Sequence, residues 1–268
     1  MKDWRRIGAL FVAVMALYGC ANKAAAPAVA KGDGKDLTTE SDEPEVRRRA
    51  RLRLELAAGY LQQGKTTVAL DEIKQSLAAD PTYAPAYNLR GLIFMQLNEN
   101  ALAEGSLQQA IQLAPRDGDT WHNLGWLYCQ QKRYSDAMSA FNTALQIPLY
   151  TGAARTWMAQ GICQVRDGRP GDAERSFLHS FELDPSNPIT TFNLSKLLTQ
   201  QGHYTRAQFY IRRLNNSDQA NAESLWLGVR IERQLQNQEA ARQLGEQLSR
   251  RFPESKEAAA YARGAFDE

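Results

Sequence analysis

From Ala57 onward the chain repeats itself about every 34 residues, and this period restricts the possible fold more than any other feature. Small residues recur at Ala57, Gly91, Gly125 and Gly161, three positions ahead of Tyr60, Phe94, Tyr128 and Gln164. Twelve residues beyond each small residue stands an alanine: Ala69, Ala103, Ala137 and Ala173. Four further on comes a larger apolar residue, Ile73, Leu107, Phe141 or Phe177. A proline closes each unit, in Asp80-Pro81, Ala114-Pro115, Ile147-Pro148 and Asp184-Pro185. A fifth unit reads Ser195, Leu198, Gly202, Tyr204, Ala207 and Ile211, and a degenerate sixth runs from about Glu223 to Pro253. A unit this short cannot bury its own apolar face, so the copies must stack side by side around one continuous core.

Within a unit the pattern is that of two helices joined by a tight turn. The small residue and the alanine mark a close approach of the two axes, where a larger side chain would hold them apart. The aromatic and aliphatic positions are expected to fill the space between successive pairs, and the proline to end the second helix. Gly64, Gly168 and Gly202 fall in the turn. Two surplus residues around Leu149-Tyr150-Thr151-Gly152 predict a longer loop between the third and fourth units. The pattern resembles the tetratricopeptide repeat, which implies an all-α fold: a right-handed superhelix of about six repeats over residues 44–268. Arrays of that kind bind partners on the concave surface lined by the first helices. Placing the repeat phase on this sequence puts Leu54, Ala58, Leu61, Leu92, Met95, His122 and Trp126 there. As an apolar patch facing water these are the candidate partner-binding residues; the alternative is that neighbouring helices tuck some of them away.

The first residues read as an export signal. Lys2, Arg5 and Arg6 precede a short apolar run over residues 7–18. Twelve residues at 1.5 Å each reach roughly 18 Å, too short for a bilayer core of about 30 Å. The run ends in Leu17-Tyr18-Gly19-Cys20, which resembles the lipobox of bacterial lipoproteins, with Tyr18 in place of the usual small residue. The resemblance implies cleavage of residues 1–19 and lipidation of Cys20, the alternative being an ordinary secretory peptide. Ala21 follows, where an aspartate would suggest inner-membrane retention, so the expected address is the outer membrane, facing the periplasm. Residues 20–43 hold almost no large apolar side chain and read as a flexible tether. Pro44 suits the first turn of a helix, with Ser41 or Asp42 near its cap.

The chain holds 32 basic and 30 acidic side chains; residues 1–19 contain three and one of them, leaving 29 of each. A balanced chain has no general field for nucleic acid or anionic lipid. Locally, Arg47, Arg48, Arg49, Arg51 and Arg53 form a basic run, either a solvated helix face or a contact for an acidic partner or lipid head groups. One catalytic pattern matches: Gly59-Tyr60-Leu61-Gln62-Gln63-Gly64-Lys65-Thr66 fits the phosphate-loop spacing. That motif needs a strand before it, whereas residues 51–58 are helix formers in repeat phase. His122, His179 and His203 lie in separate units, and hydrolase, zinc and redox motifs do not occur. The expectation is therefore no enzyme, no cofactor, no metal, no nucleic acid and no small-molecule substrate. Cys129 and Cys163 lie 34 residues apart, late in the first helices of adjacent units. The inserted residues shift their phases and favour a disulfide over two buried thiols.

The lipobox, the tether, an Arg-rich first helix and about six repeats together resemble the type IV pilus biogenesis lipoproteins of the PilF/PilW type. Local phrases carry the resemblance further: Tyr60-Leu61-Gln62-Gln63-Gly64, Ala69-Leu70-Asp71-Glu72-Ile73, Ala86-Tyr87-Asn88-Leu89-Arg90-Gly91-Leu92 and Asn123-Leu124-Gly125-Trp126-Leu127-Tyr128-Cys129. What it implies is an outer-membrane pilotin, a lipid-anchored protein whose partner is the pilus secretin subunit. The alternative is a lipid-anchored adaptor for another envelope protein complex.

Overall fold

The computed structural model describes residues 43–266, which form thirteen helices and no strand. Residues 1–42, and with them the export signal, Cys20 and most of the tether, lie outside the described residues. The compact unit begins at Pro44. Pro44 is the residue before the first helix rather than part of its first turn, and Ser41 and Asp42 lie outside the described residues.

Twelve helices make six antiparallel pairs: α1 (Glu45–Gln62) with α2 (Thr66–Ala79), α3 (Ala84–Gln96) with α4 (Asn100–Leu113), and α5 (Gly118–Gln130) with α6 (Tyr134–Gln146). They continue as α7 (Ala153–Arg166) with α8 (Pro170–Leu183), α9 (Pro188–Gln200) with α10 (Tyr204–Asn215), and α11 (Ala222–Gln234) with α12 (Gln238–Arg251). A three-residue turn joins each pair, and its middle residue is left-handed in every unit. Glycine supplies it at Gly64, Gly168 and Gly202, while Asn98, Lys132 and Gln236 adopt φ of 61°. A side chain there costs roughly 1–2 kcal/mol, which the packing of the pair must offset. After five of the six second helices, α10 being the exception, proline stands two residues past the helix end, where it cannot extend it: Pro81, Pro115, Pro148, Pro185 and Pro253.

The pairs close by a knob over a gap. A Cβ added at Gly91 would lie 2.7 Å from Leu107, and at Gly125 and Gly161 it would meet the rings of Phe141 and Phe177 at the same distance. These large residues thus close their own pair as well as sharing a core with the next unit, Leu107 with Leu124, Phe141 with Ala159 and Phe177 with Leu194. Each lies 16 positions after its glycine and sits on it across the same pair, in the room that the missing side chain leaves. Ile73 is as fully buried as Leu107, Phe141 and Phe177, in a unit where the small residue is Ala57.

The loop between α6 and α7 has six residues, 147–152, where most inter-pair loops have four. Tyr150 fills it. Its ring lies where a Cβ on Gly118 or Gly152 would clash, its hydroxyl donates to Asp119 at 3.2 Å, and it bonds Thr156 Oγ1 at 3.0 Å. Across this junction Cys129 and Cys163, both buried, are joined as a disulfide with Cα atoms 5.8 Å apart.

A thirteenth helix, α13 (Lys256–Arg263), was not legible in the repeat pattern. Ser255 caps it by accepting from the Ala258 amide, and Tyr261 lies over Gly245 of α12. With Ala258 it covers Leu225 and Leu248, the apolar end that a further repeat would otherwise cover.

Candidate functional site

The backbone of each first helix comes close to that of the next first helix, from α1 through to α13, whereas second helices meet only through side chains, as α8 and α10 do in Glu174–Arg206 and Phe181–Tyr210. The stack is therefore tightest along the first helices and curves toward them, which makes their free faces the inner surface.

Of the residues expected there, Leu54, Ala58, Leu61, Leu92, Met95 and Trp126 are half-buried. Leu54 and Leu61 also pack against the core of the first two units, and Met95 and Trp126 against that of units two to four. Leu92 belongs to neither cluster, so it gives the cleanest access to the surface itself. Arg166 spans from the fourth unit to place its guanidinium 5.1 Å from the Trp126 ring.

His122 is a correction. It is only 8% exposed, and its Nδ1 bonds Thr156 Oγ1 at 2.9 Å, so its ring is core and not partner surface. The inserted loop brings Thr156 and Tyr150 over it. Burial, with the Arg155 charge adding to it, lowers its pKa from 6.5 to about 4 although Asp119 pulls the other way. A histidine held neutral in the fold but protonated first in the unfolded chain weakens the fold as acid is added. The loss begins below pH 6.5, grows down to about pH 4, and amounts to about 2 kcal/mol at pH 5. His122→Asn should lack that share of the acid sensitivity. Denaturant titrations of both proteins at pH 7.5 and 5 check this; equal losses would mean that His122 takes up its proton as readily in the fold as in the unfolded chain.

The basic run of α1 is largely neutralised. Arg47 pairs with Asp80 at 2.6 Å, Arg53 with Glu72 at 2.9 Å, Arg48 with Glu45 and Arg51 with Glu55. The Thr82 hydroxyl, and then its amide and Arg47, hold the Asp80 carboxyl below its ordinary pKa against the opposing effect of burial. The phosphate-loop spelling is likewise absorbed by the repeat. Gly59 to Gln62 are the end of α1, and Lys65 bonds Gln63 Oε1 at 2.9 Å instead of facing a loop of amides. Among the described residues no group of acids, histidines and cysteines could hold a metal ion.

A feature missed in the sequence is a column of glutamines. Gln62, Gln96, Gln130, Gln200 and Gln234 each end the first helix of their unit, and all are exposed; Arg166 takes the place in the fourth. Their repeat spacing is readable in the sequence, but the repeat signature lies in the apolar and small positions. A primary amide offers both a donor and an acceptor, the pair that an extended peptide backbone presents.

A tetratricopeptide repeat family matches residues 54–118 and 88–154. The type IV pilus assembly protein PilF of Pseudomonas aeruginosa is 28% identical over 252 residues, covering 94% of this chain and 96% of that protein. A solved structure of P. aeruginosa PilF superposes with a TM-score of 0.73 at 26% identity, over 82% of this chain and all of that one. The crystal structure of PilW, described as a widely conserved type IV pilus biogenesis factor, gives 0.71 at 26% identity, again over 82% and 100%. Six helix pairs with an inner face free for a protein partner, and likeness extending over nearly the full length, converge on one identification. The chain is an all-α tetratricopeptide repeat protein, a homologue of the type IV pilus assembly protein PilF over 94% of its length, and it shares the fold of PilF and PilW.

Proposed function

We propose that the chain is an outer-membrane lipoprotein that binds the type IV pilus secretin and assists its localisation and multimer assembly. The observation that carries this reading is the likeness to PilF over 94% of this chain and 96% of that protein, which leaves little room for a different architecture. The lipobox-like Leu17-Tyr18-Gly19-Cys20 supports the address. The mechanism is physical and breaks no bonds. A lipid on Cys20 holds the protein at the membrane, residues 20–43 act as tether, and the inner face holds an apolar segment of an unassembled subunit. Leu54, Leu61, Leu92, Met95 and Trp126 supply that contact.

Leu92→Glu is the direct test. Leu92 is half-buried and outside the core clusters, so the variant should melt within about 1 kcal/mol of the parent. A desolvated apolar anchor contributes about 2 kcal/mol, so affinity for solubilised secretin subunit should fall roughly thirtyfold. A folded variant that binds as before would move the site off the first three units. A variant that unfolds would make Leu92 core.

A further inference from the structure

The last two units carry a different chemistry on the same inner side. A cavity of about 340 Å³ opens between α9, α11 and α13, large enough for one aromatic side chain and its flanking backbone. Phe192, Lys196 and Gln200 stand at intervals of four on α9. Trp226, Arg230 and Gln234 occupy the same places on α11, 34 residues later. Residues four apart lie on one helix face, so two adjacent helices present the same order: aromatic, cation, amide.

The cations and amides of the two rows have no ion-pair or core partner among the described residues, while one face of the Trp226 ring carries Phe266. Lys196 and Arg230 make no ion pair among the described residues, although Arg47, Arg53, Arg155, Arg206 and Arg212 all do. Gln200 and Gln234 are exposed. Two acidic groups share the lining: Glu223 is a turn before Trp226, and the buried Glu257, met by Lys256 at 3.6 Å, also lines an adjoining depression with Trp226 and Arg230. The surface already holds one aromatic ring in this manner. Phe266 stacks on Trp226 with centroids 5.6 Å apart and planes 27° apart, and Arg233 covers its ring at 3.6 Å. In the sequence Phe266 is followed by Asp267 and Glu268.

We propose that this cavity is a second binding site, for an extended peptide segment of a partner protein in which an aromatic side chain is followed by carboxylates. The aromatic ring packs on Phe192, Trp226 and Leu227, and the carboxylates meet Lys196 and Arg230. The amides of Gln200 and Gln234 pair with the peptide backbone. The spacing suits this: four helical residues rise about 6 Å, the distance that two residues of an extended chain cover. Nothing in this site depends on what the first three units bind.

The test uses the protein lacking residues 1–19 and a fluorescein-labelled peptide, Gly-Ser-Phe-Asp-Glu-Ser-Gly, followed by anisotropy. Saturable binding is expected. It should weaken at least tenfold in Lys196→Glu/Arg230→Glu, and at least tenfold when the peptide phenylalanine is replaced by alanine or both its acids by serine. Lys196→Gln/Arg230→Gln should weaken it less, and it decides the matter if charge reversal disturbs the fold. Leu92→Glu should leave it unchanged. Absence of saturable binding, equal binding by the charge-reversed and glutamine variants, or loss of binding in Leu92→Glu would each overturn the proposal.

Discussion

Replacing both Cys129 and Cys163 by alanine should make the repeat array about 4 kcal/mol easier to unfold than the oxidised protein. The bridge closes a 34-residue loop, and the chain entropy denied to the unfolded state by such a loop is worth about 3.7 kcal/mol. Both sulfurs are buried, so the small voids left by alanine add to the loss. In a stacked array stability is a sum of units and their interfaces, so the loss should be concentrated where α5 meets α7. Hydrogen exchange should accelerate most in the third and fourth units, around Tyr150 and His122, and least in α11 to α13. Denaturant titration of the oxidised, reduced and double-alanine proteins measures the total. Equal midpoints for all three, or two free thiols in unreduced periplasmic protein, would mean the bridge does not contribute.

Cys20→Ser should have the largest effect on location. Cys20 lies 24 residues before Pro44, where the compact unit begins, so the repeat domain should fold and melt unchanged. Several acyl chains at about 0.8 kcal/mol per buried methylene hold a protein firmly to a bilayer. Among the described residues no helix is long and apolar enough to cross a membrane and replace them. The variant should therefore leave the outer-membrane fraction almost completely, and secretin multimers should fall or collect in the wrong membrane. Unchanged fractionation would remove the lipoprotein reading.

The sequence made the pairs legible because each depends on a local steric rule. Gly91, Gly125 and Gly161 announce a close approach, and prolines such as Pro81 and Pro185 announce helix ends. The length of the third inter-pair loop was readable too, since residues inserted into a fixed period have nowhere else to go. Three things were not. That Phe141 sits on Gly125 inside its own pair is a matter of side-chain direction, which spacing alone leaves open. That His122 is core depends on Thr156 and Tyr150, brought over it by that same loop from the next unit. The helix α13 escaped because it covers the array and does not repeat, so it shares only amphipathicity with the units before it. The five glutamines were visible at the repeat spacing, but an exposed polar residue carries no packing signal that would single it out.

Capture from native membranes tests most directly whether this array receives the pilus secretin. The full chain would be tagged after Glu268, expressed in its own cells, cross-linked, solubilised and purified beside Leu92→Glu. The secretin subunit should be the main cross-linked protein with the parent chain and strongly reduced with Leu92→Glu, both proteins being lipidated and folded. Recovery of a different envelope complex, with no secretin in either sample, would contradict that reading and make the chain an adaptor for that other machine.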